Sequence, residues 1–169
     1  MKNLLALLLL LITINSCGQM KVESPAFEKA IKTIIPTHTK LISTHQLADS
    51  FDLSQTVLLD AREKNEYEIS HLPNAIWIGY DDFDINRVKS ISKSSQVVVY
   101  CSVGYRSGVI GQKIQKAGYK NVYNLYGGIF EWVNQGYSVV NVKGPVNKVH
   151  GYDAKWSIFV KGAETILNE

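Results

Sequence analysis

Hydrophobic and polar positions along this chain fall into short blocks whose period switches between that of a strand and that of a helix. Gln96-Val97-Val98-Val99-Tyr100 is the strongest strand pattern, β-branched through its centre. Val57-Leu58-Leu59 ending at Asp60, Ala75-Ile76-Trp77-Ile78, Asn121 to Leu125 and the brief Lys40-Leu41-Ile42 read as further strands. Helical patterns lie between them. Phe27 to Ile35 is stopped by Pro36. Ser43-Thr44-His45-Gln46 is a capping box that opens a helix running to about Phe51. Glu63 to Ile69 reads as a short acidic helix and Phe83 to Ile91 as another. Gly104 to Ala117 is a helix that Gly118 ends, and Gly128 to Asn134 is one that Gly136 ends. Ser138 to Val142 reads as an edge strand, and Asp153 to Leu167 as a C-terminal helix facing Trp156 and Phe159 to the core despite Gly162.

The central strands are apolar on both faces instead of alternating, which requires a parallel sheet covered by helices on both sides. The predicted class is α/β: an open doubly wound parallel sheet with helices on both faces, built by right-handed crossovers. Sites in such sheets lie at the carboxyl ends of central strands.

The N-terminus stands apart. Lys2 precedes an apolar run of 11 residues, Leu4 to Ile14, broken only by Thr13. A membrane-spanning helix needs about 20 apolar residues, so the run suits a signal-peptide core instead. Ile14-Asn15-Ser16-Cys17-Gly18 resembles a bacterial lipobox, with Ile14 where Leu is usual. The resemblance implies cleavage before Cys17, acylation of that residue, and a lipid-anchored protein of the bacterial cell envelope facing the periplasm or the exterior. Residues 1–16 are then a signal peptide, 17–26 a lipidated tether and 27–169 a single domain. Plain cleavage nearby, giving a soluble secreted product, is the other reading.

Composition narrows the picture further. The 169 residues are 46% hydrophobic and carry a net charge of +3 with no dense Lys/Arg run, so nucleic-acid binding finds no footing. The pattern demands no assembly beyond a monomer. No Cys-x-x-Cys or His-x-x-x-His pair suggests a metal, and no Gly-rich fingerprint suggests a nucleotide, so no cofactor is expected. His38, His45 and His150 are scattered and read as surface residues. The two cysteines, Cys17 and Cys101, invite a disulfide reading. Acylation of Cys17 would remove it and leave Cys101 without a resolving thiol, which forbids an internal dithiol cycle but allows a single-cysteine persulfide cycle.

Candidate chemistry concentrates in Tyr100-Cys101-Ser102-Val103-Gly104-Tyr105-Arg106-Ser107. A strand delivers a cysteine to its carboxyl end, a tight loop follows, and a helix begins. Loop N–H groups can converge on the sulfur, the helix N-terminus adds positive potential, and Arg106 supplies a full charge nearby.

Here the sequence resembles the rhodanese family of sulfurtransferases, over roughly residues 38–137. Leu58-Leu59-Asp60-Ala61-Arg62-Glu63 is similar to its Asp-x-Arg segment, and His71-Leu72-Pro73-Asn74-Ala75 to its His-[Ile/Leu]-Pro-Gly-Ala segment. Cys101 to Ser107 matches Cys-x-x-Gly-x-Arg-Ser, and Gly127-Gly128-Ile129-Phe130-Glu131-Trp132 matches Gly-Gly-x-x-x-Trp. The departures are Asn74 for Gly, and Ser70 where Gly often precedes the His.

The resemblance implies a two-step sulfur transfer. Cys101 takes the outer sulfur of a small anionic donor such as thiosulfate, then passes it from a persulfide to a thiol or cyanide-like acceptor. Ser102, Val103, Gly104, Tyr105, Arg106 and Ser107 would cradle the persulfide, with Arg106 completing the cradle or binding the donor. Four residues separate Cys101 from Arg106. Cysteine phosphatases resembling this fold use one more, which makes a larger cradle for phosphate. A phosphatase or arsenate reductase is therefore a remoter alternative. A non-catalytic sulfur-binding or partner-binding module is the nearer one. Asp60, Arg62, His71 and Trp132 read as supporting residues: Asp60 and Arg62 pairing with each other or with loop backbone at a strand end, His71 hydrogen-bonding within a turn with a general base as its other reading, and Trp132 packing in the core beneath the loop. Arg106 pairing with a surface carboxylate is the bland reading of that residue.

Overall fold

The computed structural model describes residues 20, 22, 24–36 and 38–167; Cys17, the signal-peptide segment and half of the tether lie outside them. Five parallel strands form the central sheet in the order β1-β5-β4-β2-β3: β1 Lys40–Ile42, β2 Thr56–Asp60, β3 Ile76–Trp77, β4 Gln96–Tyr100 and β5 Asn121–Leu125. The apolar-on-both-faces signature of β4 has a direct structural counterpart. Val98 and Tyr100 enter one core cluster, Val97 and Val99 the other, and all four are fully buried.

The first cluster is closed by α1 (Pro25–Lys32), α2 (Thr44–Ser50) and α5 (Gly128–Asn134) through Phe27, Ile31, Leu47, Ile129 and Phe130. The second is closed by α4 (Tyr105–Lys116) through Ile110 and Ile114, and by a 3₁₀ turn at Ile85–Val88. The predicted capping box of α2 is formed, with Ser43 and Gln46 satisfying each other's backbone N–H. A short α3 (Lys64–Ile69) follows β2.

Asp60 and Arg62 form a fully buried ion pair at 2.7 Å. Arg62 Nη2 also donates to the Ser70 carbonyl at 2.6 Å, and Trp77 Nε1 donates to the Arg62 carbonyl at 2.9 Å. The pair thus ties the α3–β3 segment to the end of β2. Burial opposes the Arg62 charge, but the Asp60 carboxylate outweighs it and raises the Arg62 pKa. Asn74 sits at φ 62, which Asn tolerates better than most side chains, so it can occupy the turn where the family pattern has Gly.

Four expectations from the pattern fail. Phe83–Ile91 is not a full helix: its apolar residues anchor turns, and only Ile85–Val88 is helical, capped by Asp84. The strand at 138–142 exists as β6 (Val139–Asn141) but is no edge of the main sheet. It pairs antiparallel with β7 (Gly144–Val146) and bridges to His71. The C-terminal helix reduces to one turn, α6 (Ala154–Ser157), after which β9 (Glu164–Ile166) pairs parallel with β8 (Lys148–His150). Gly162 explains the break: any Cβ there would lie 1.8 Å from the Val133 carbonyl oxygen. The Asn134 side chain also claims the Lys161 and Gly162 amides. His150 is buried, not at the surface, and burial lowers its pKa.

Candidate active site

β4 ends one residue before Cys101, whose side chain is buried at the carboxyl edge of the sheet. The chain turns through Ser102 and Val103 to Gly104, whose φ of 116° allows it to open α4 as the N-cap. The Gly104 N–H donates to Cys101 Sγ at 3.1 Å, and Ser107 Oγ lies 3.4 Å from the same sulfur. The amides of Tyr105, Arg106 and Ser107, in the first turn of α4, have no carbonyl one turn back to accept from them.

Two neighbours fix this loop from behind. Asn124, fully buried on β5, accepts from Ser107 Oγ at 2.7 Å and donates to the Gly104 carbonyl at 2.8 Å. The first turn of α5 donates from Ile129 N to the Cys101 carbonyl at 2.9 Å and from Phe130 N to the Ser102 carbonyl at 3.2 Å.

Arg106 lines the loop with its guanidinium held by two side chains. Its Nη1 donates to Glu66 Oε2 at 2.6 Å; its Nη2 donates to Glu66 Oε1 at 2.8 Å and to Ser102 Oγ at 2.9 Å. Ser102 Oγ lies 3.1 Å from Glu66 Oε1, and the Glu63 N–H donates to Oε2 at 2.9 Å. The carboxylate partner is therefore buried, on α3, and not at the surface. Burial pushes the Glu66 carboxyl up, but the hydrogen bonds and charge of Arg106, with Arg62 behind them, outweigh it and bring it down to about 2. Burial works against the Arg106 charge too, and Glu66 holds its pKa raised.

A pH dependence follows from this. The Glu66 pKa is depressed from 4.5 to about 2, so its contribution to folding is complete above about 4.5 and is lost as pH falls toward 2. At neutral pH it amounts to about 3 kcal/mol, at about 1.4 kcal/mol per pKa unit. Melting curves should show the Tm falling between pH 4.5 and pH 2, and less steeply in Glu66→Gln. Equal slopes in the two proteins would contradict the assignment.

A cavity of about 250 Å³ opens over Cys101. Ser102, Val103, Tyr105 and Arg106 of the thiol loop line it together with Ile34, Tyr152 and Trp156. The loop residues of the sequence reading thus surround the sulfur, Ser107 from within. The supporting residues do not line this cavity. His71 Nδ1 lies 2.9 Å from the Tyr67 carbonyl, with the two rings stacked at 3.8 Å. Trp132 is buried in the core, its Nε1 donating to the Ser138 carbonyl at 2.9 Å. Asp60 and Arg62 lie wholly within the protein.

The sequence profile of the rhodanese-like domain matches residues 43–135, more than half of the chain. The chain belongs to the rhodanese-like domain family. Among solved rhodanese-like structures, a rhodanese-related protein of Thermoplasma volcanium superposes with a TM-score of 0.50 at 25% identity, over 60% of this chain and 97% of that one. The rhodanese-like domain of an Anabaena protein does so at 0.54 and 21% identity, over 60% and 79%, a likeness of fold. Among characterised relatives, the adenylyltransferase and sulfurtransferase UBA4 of Lodderomyces elongisporus is 24% identical over 128 residues, covering 70% of this chain and 27% of that protein. The tRNA uridine(34) hydroxylase of Hamiltonella defensa is 29% identical over 123 residues, covering 68% and 35%. The chain thus spans about a third or less of the length of these relatives.

Glu66, Asn124 and Tyr152 have no assigned role in the sequence reading, and Trp156 appears there only as a core residue. Glu66 carries one signal, its place three residues after Glu63 at the start of a helix, which explains the Glu63 N–H bond but not the Arg106 partner 40 residues away.

Proposed function

We propose that this rhodanese-like protein is a sulfurtransferase that carries sulfane sulfur on Cys101. The observation that supports the reading most is the position of the Cys101 sulfur. It sits 3.1 Å from the Gly104 N–H at the mouth of α4 and opens on a cavity large enough for a small sulfur compound. In the first step the Cys101 thiolate attacks the outer sulfur of the donor. The donor's S–S bond breaks, its electron pair departs on the leaving group (sulfite when the donor is thiosulfate), and a Cys101 persulfide remains. The amides at the start of α4 stabilise the anionic outer sulfur. In the second step an acceptor thiol or cyanide takes that sulfur and returns the thiolate. The bidentate Glu66 partner holds Arg106 as a fixed wall of the cradle, so the cradle is preorganised around a sulfur atom.

Thiocyanate formation from cyanide, with thiosulfate and with an aryl thiosulfonate as donors, tests the reading. We expect turnover with at least one donor and none in Cys101→Ser. Aryl phosphate hydrolysis that depends on Cys101, with no thiocyanate formed, would favour a phosphatase instead.

We further propose that the protein works from a membrane surface through acylated Cys17. Each buried lipid methylene contributes about 0.8 kcal/mol, so several acyl chains anchor firmly. In the detergent phase separation of bacterial lysates the intact protein should partition with detergent and Cys17→Ala with water. Aqueous partition of the intact protein would rule the anchor out.

A further inference from the structure

Three of the residues lining the cavity come from outside the segment that defines the family. Ile34 precedes residues 43–135, and Tyr152 and Trp156 follow them. Tyr152 is held there under backbone strain. Its φ is 67°, in the left-handed region that bulky side chains rarely adopt, and its N–H donates to Nδ1 of the buried His150 at 3.0 Å. That conformation sets its ring over the Arg106 guanidinium, 4.9 Å from centroid to carbon.

Among the described residues, Arg106 is the one Lys, Arg, Asp or Glu lining the cavity. Its charge is matched by Glu66, three of its five N–H donors are directed at Glu66 and Ser102, and the Tyr152 ring covers its face. Such an arginine offers little net charge to an inorganic dianion. The remaining surface (Ile34, Val103, Tyr105, Trp156) is apolar or aromatic. A cavity of about 150 Å³ is enough to hold benzene. The volume here, about 250 Å³, leaves room for a ring and its sulfur-bearing group.

We propose, resting on the sulfurtransferase reading, that the preferred donor is an organic sulfane-sulfur compound with an apolar, aryl-sized body, selected by Tyr152 and Trp156 over thiosulfate. For a thiosulfonate R–SO2–S⁻ the step balances without any further reactant. The Cys101 thiolate forms a bond to the outer sulfur, the donor's S–S bond breaks, and the electron pair leaves on the sulfinate R–SO2⁻. The outer sulfur stays as the persulfide anion.

Benzenethiosulfonate and thiosulfate share the reacting sulfur and differ in a phenyl group against an oxyanion, so they make a matched pair of probes. Each rate is corrected for its uncatalysed reaction with cyanide. The wild-type kcat/KM for benzenethiosulfonate should exceed that for thiosulfate at least about tenfold. Trp156→Ala should cut this ratio about tenfold, chiefly through KM, since lost apolar contact in a pocket discriminates on that scale. Glu66→Gln should also lower the ratio, because it leaves the Arg106 charge unmatched and available to thiosulfate. A wild-type preference for thiosulfate, or an equal loss with both donors in Trp156→Ala, overturns the proposal. The wild-type ratio decides even if a variant fails to fold. Persulfide formation from neither donor sinks the sulfurtransferase reading itself, a result distinct from wrong specificity.

Discussion

Glu66→Ala should lower stability by about 3 kcal/mol and sulfur transfer by at least about tenfold. The carboxylate holds both Arg106 terminal nitrogens and lies within reach of Ser102 Oγ and the Glu63 N–H, so its removal leaves a nearly buried guanidinium without a counter-charge. Breaking a buried pair from one side costs about 3–5 kcal/mol. The lower end applies because Arg106 keeps some contact with the cavity. Out of about 5–15 kcal/mol for a domain, that is a large share. Activity falls because Arg106 and Ser102 are freed together and the thiol loop loses its fixed wall. Glu66→Gln keeps oxygen and nitrogen at the same place and should lose less stability. Urea titrations of the wild type, Glu66→Ala and Glu66→Gln check the order; an Ala variant as stable as the wild type would remove Glu66 from the account.

Gly128→Ala is the second large effect. A Cβ at Gly128 would lie 2.3 Å from the Cys101 carbonyl oxygen and 2.6 Å from that of Ser102, at a φ of 57°. No side chain can yield, because the atoms it meets are the backbone of the thiol loop. Overpacking together with left-handed strain should cost about 2–4 kcal/mol and push the loop off the α5 amides that hold it. Gly118→Ala is the control. Gly118 also has a positive φ, 94°, but a Cβ there meets nothing within 4 Å. It should cost about 1 kcal/mol from strain alone and leave sulfur uptake intact. If Gly128→Ala and Gly118→Ala behave alike, close packing of α5 against the loop is not what positions Cys101.

What the chain's pattern reveals and what it hides divide along sequence distance. The β-branched run before Cys101, the glycine turn and the helix start are local, and the parallel sheet follows from strands apolar on both faces. The capping box at Ser43 is likewise complete within four residues. The Glu66–Arg106 pair spans 40 residues and joins two helices that no periodicity brings together. Asn124 sits in a strand as a polar residue among apolar ones, a buried-polar signal whose partners, Ser107 and Gly104, only the folded sheet supplies. The C-terminal segment misleads for a related reason. Helical spacing of Trp156 and Phe159 is genuine, and Phe159 stacks on Phe27 at 5.1 Å. The close approach of Gly162 to the end of α5 and the pairing of β9 with β8 then override local propensity. The same override buries His150 and turns Tyr152 into the cavity wall.

Sulfur transfer as proposed requires that Cys101 itself carry the sulfur. Intact-mass measurement after incubation with excess benzenethiosulfonate or thiosulfate tests it most directly. We expect a gain of one sulfur atom per chain, located on Cys101, removed by cyanide and absent in Cys101→Ser. No gain from either donor, or a gain that persists in Cys101→Ser, would contradict it.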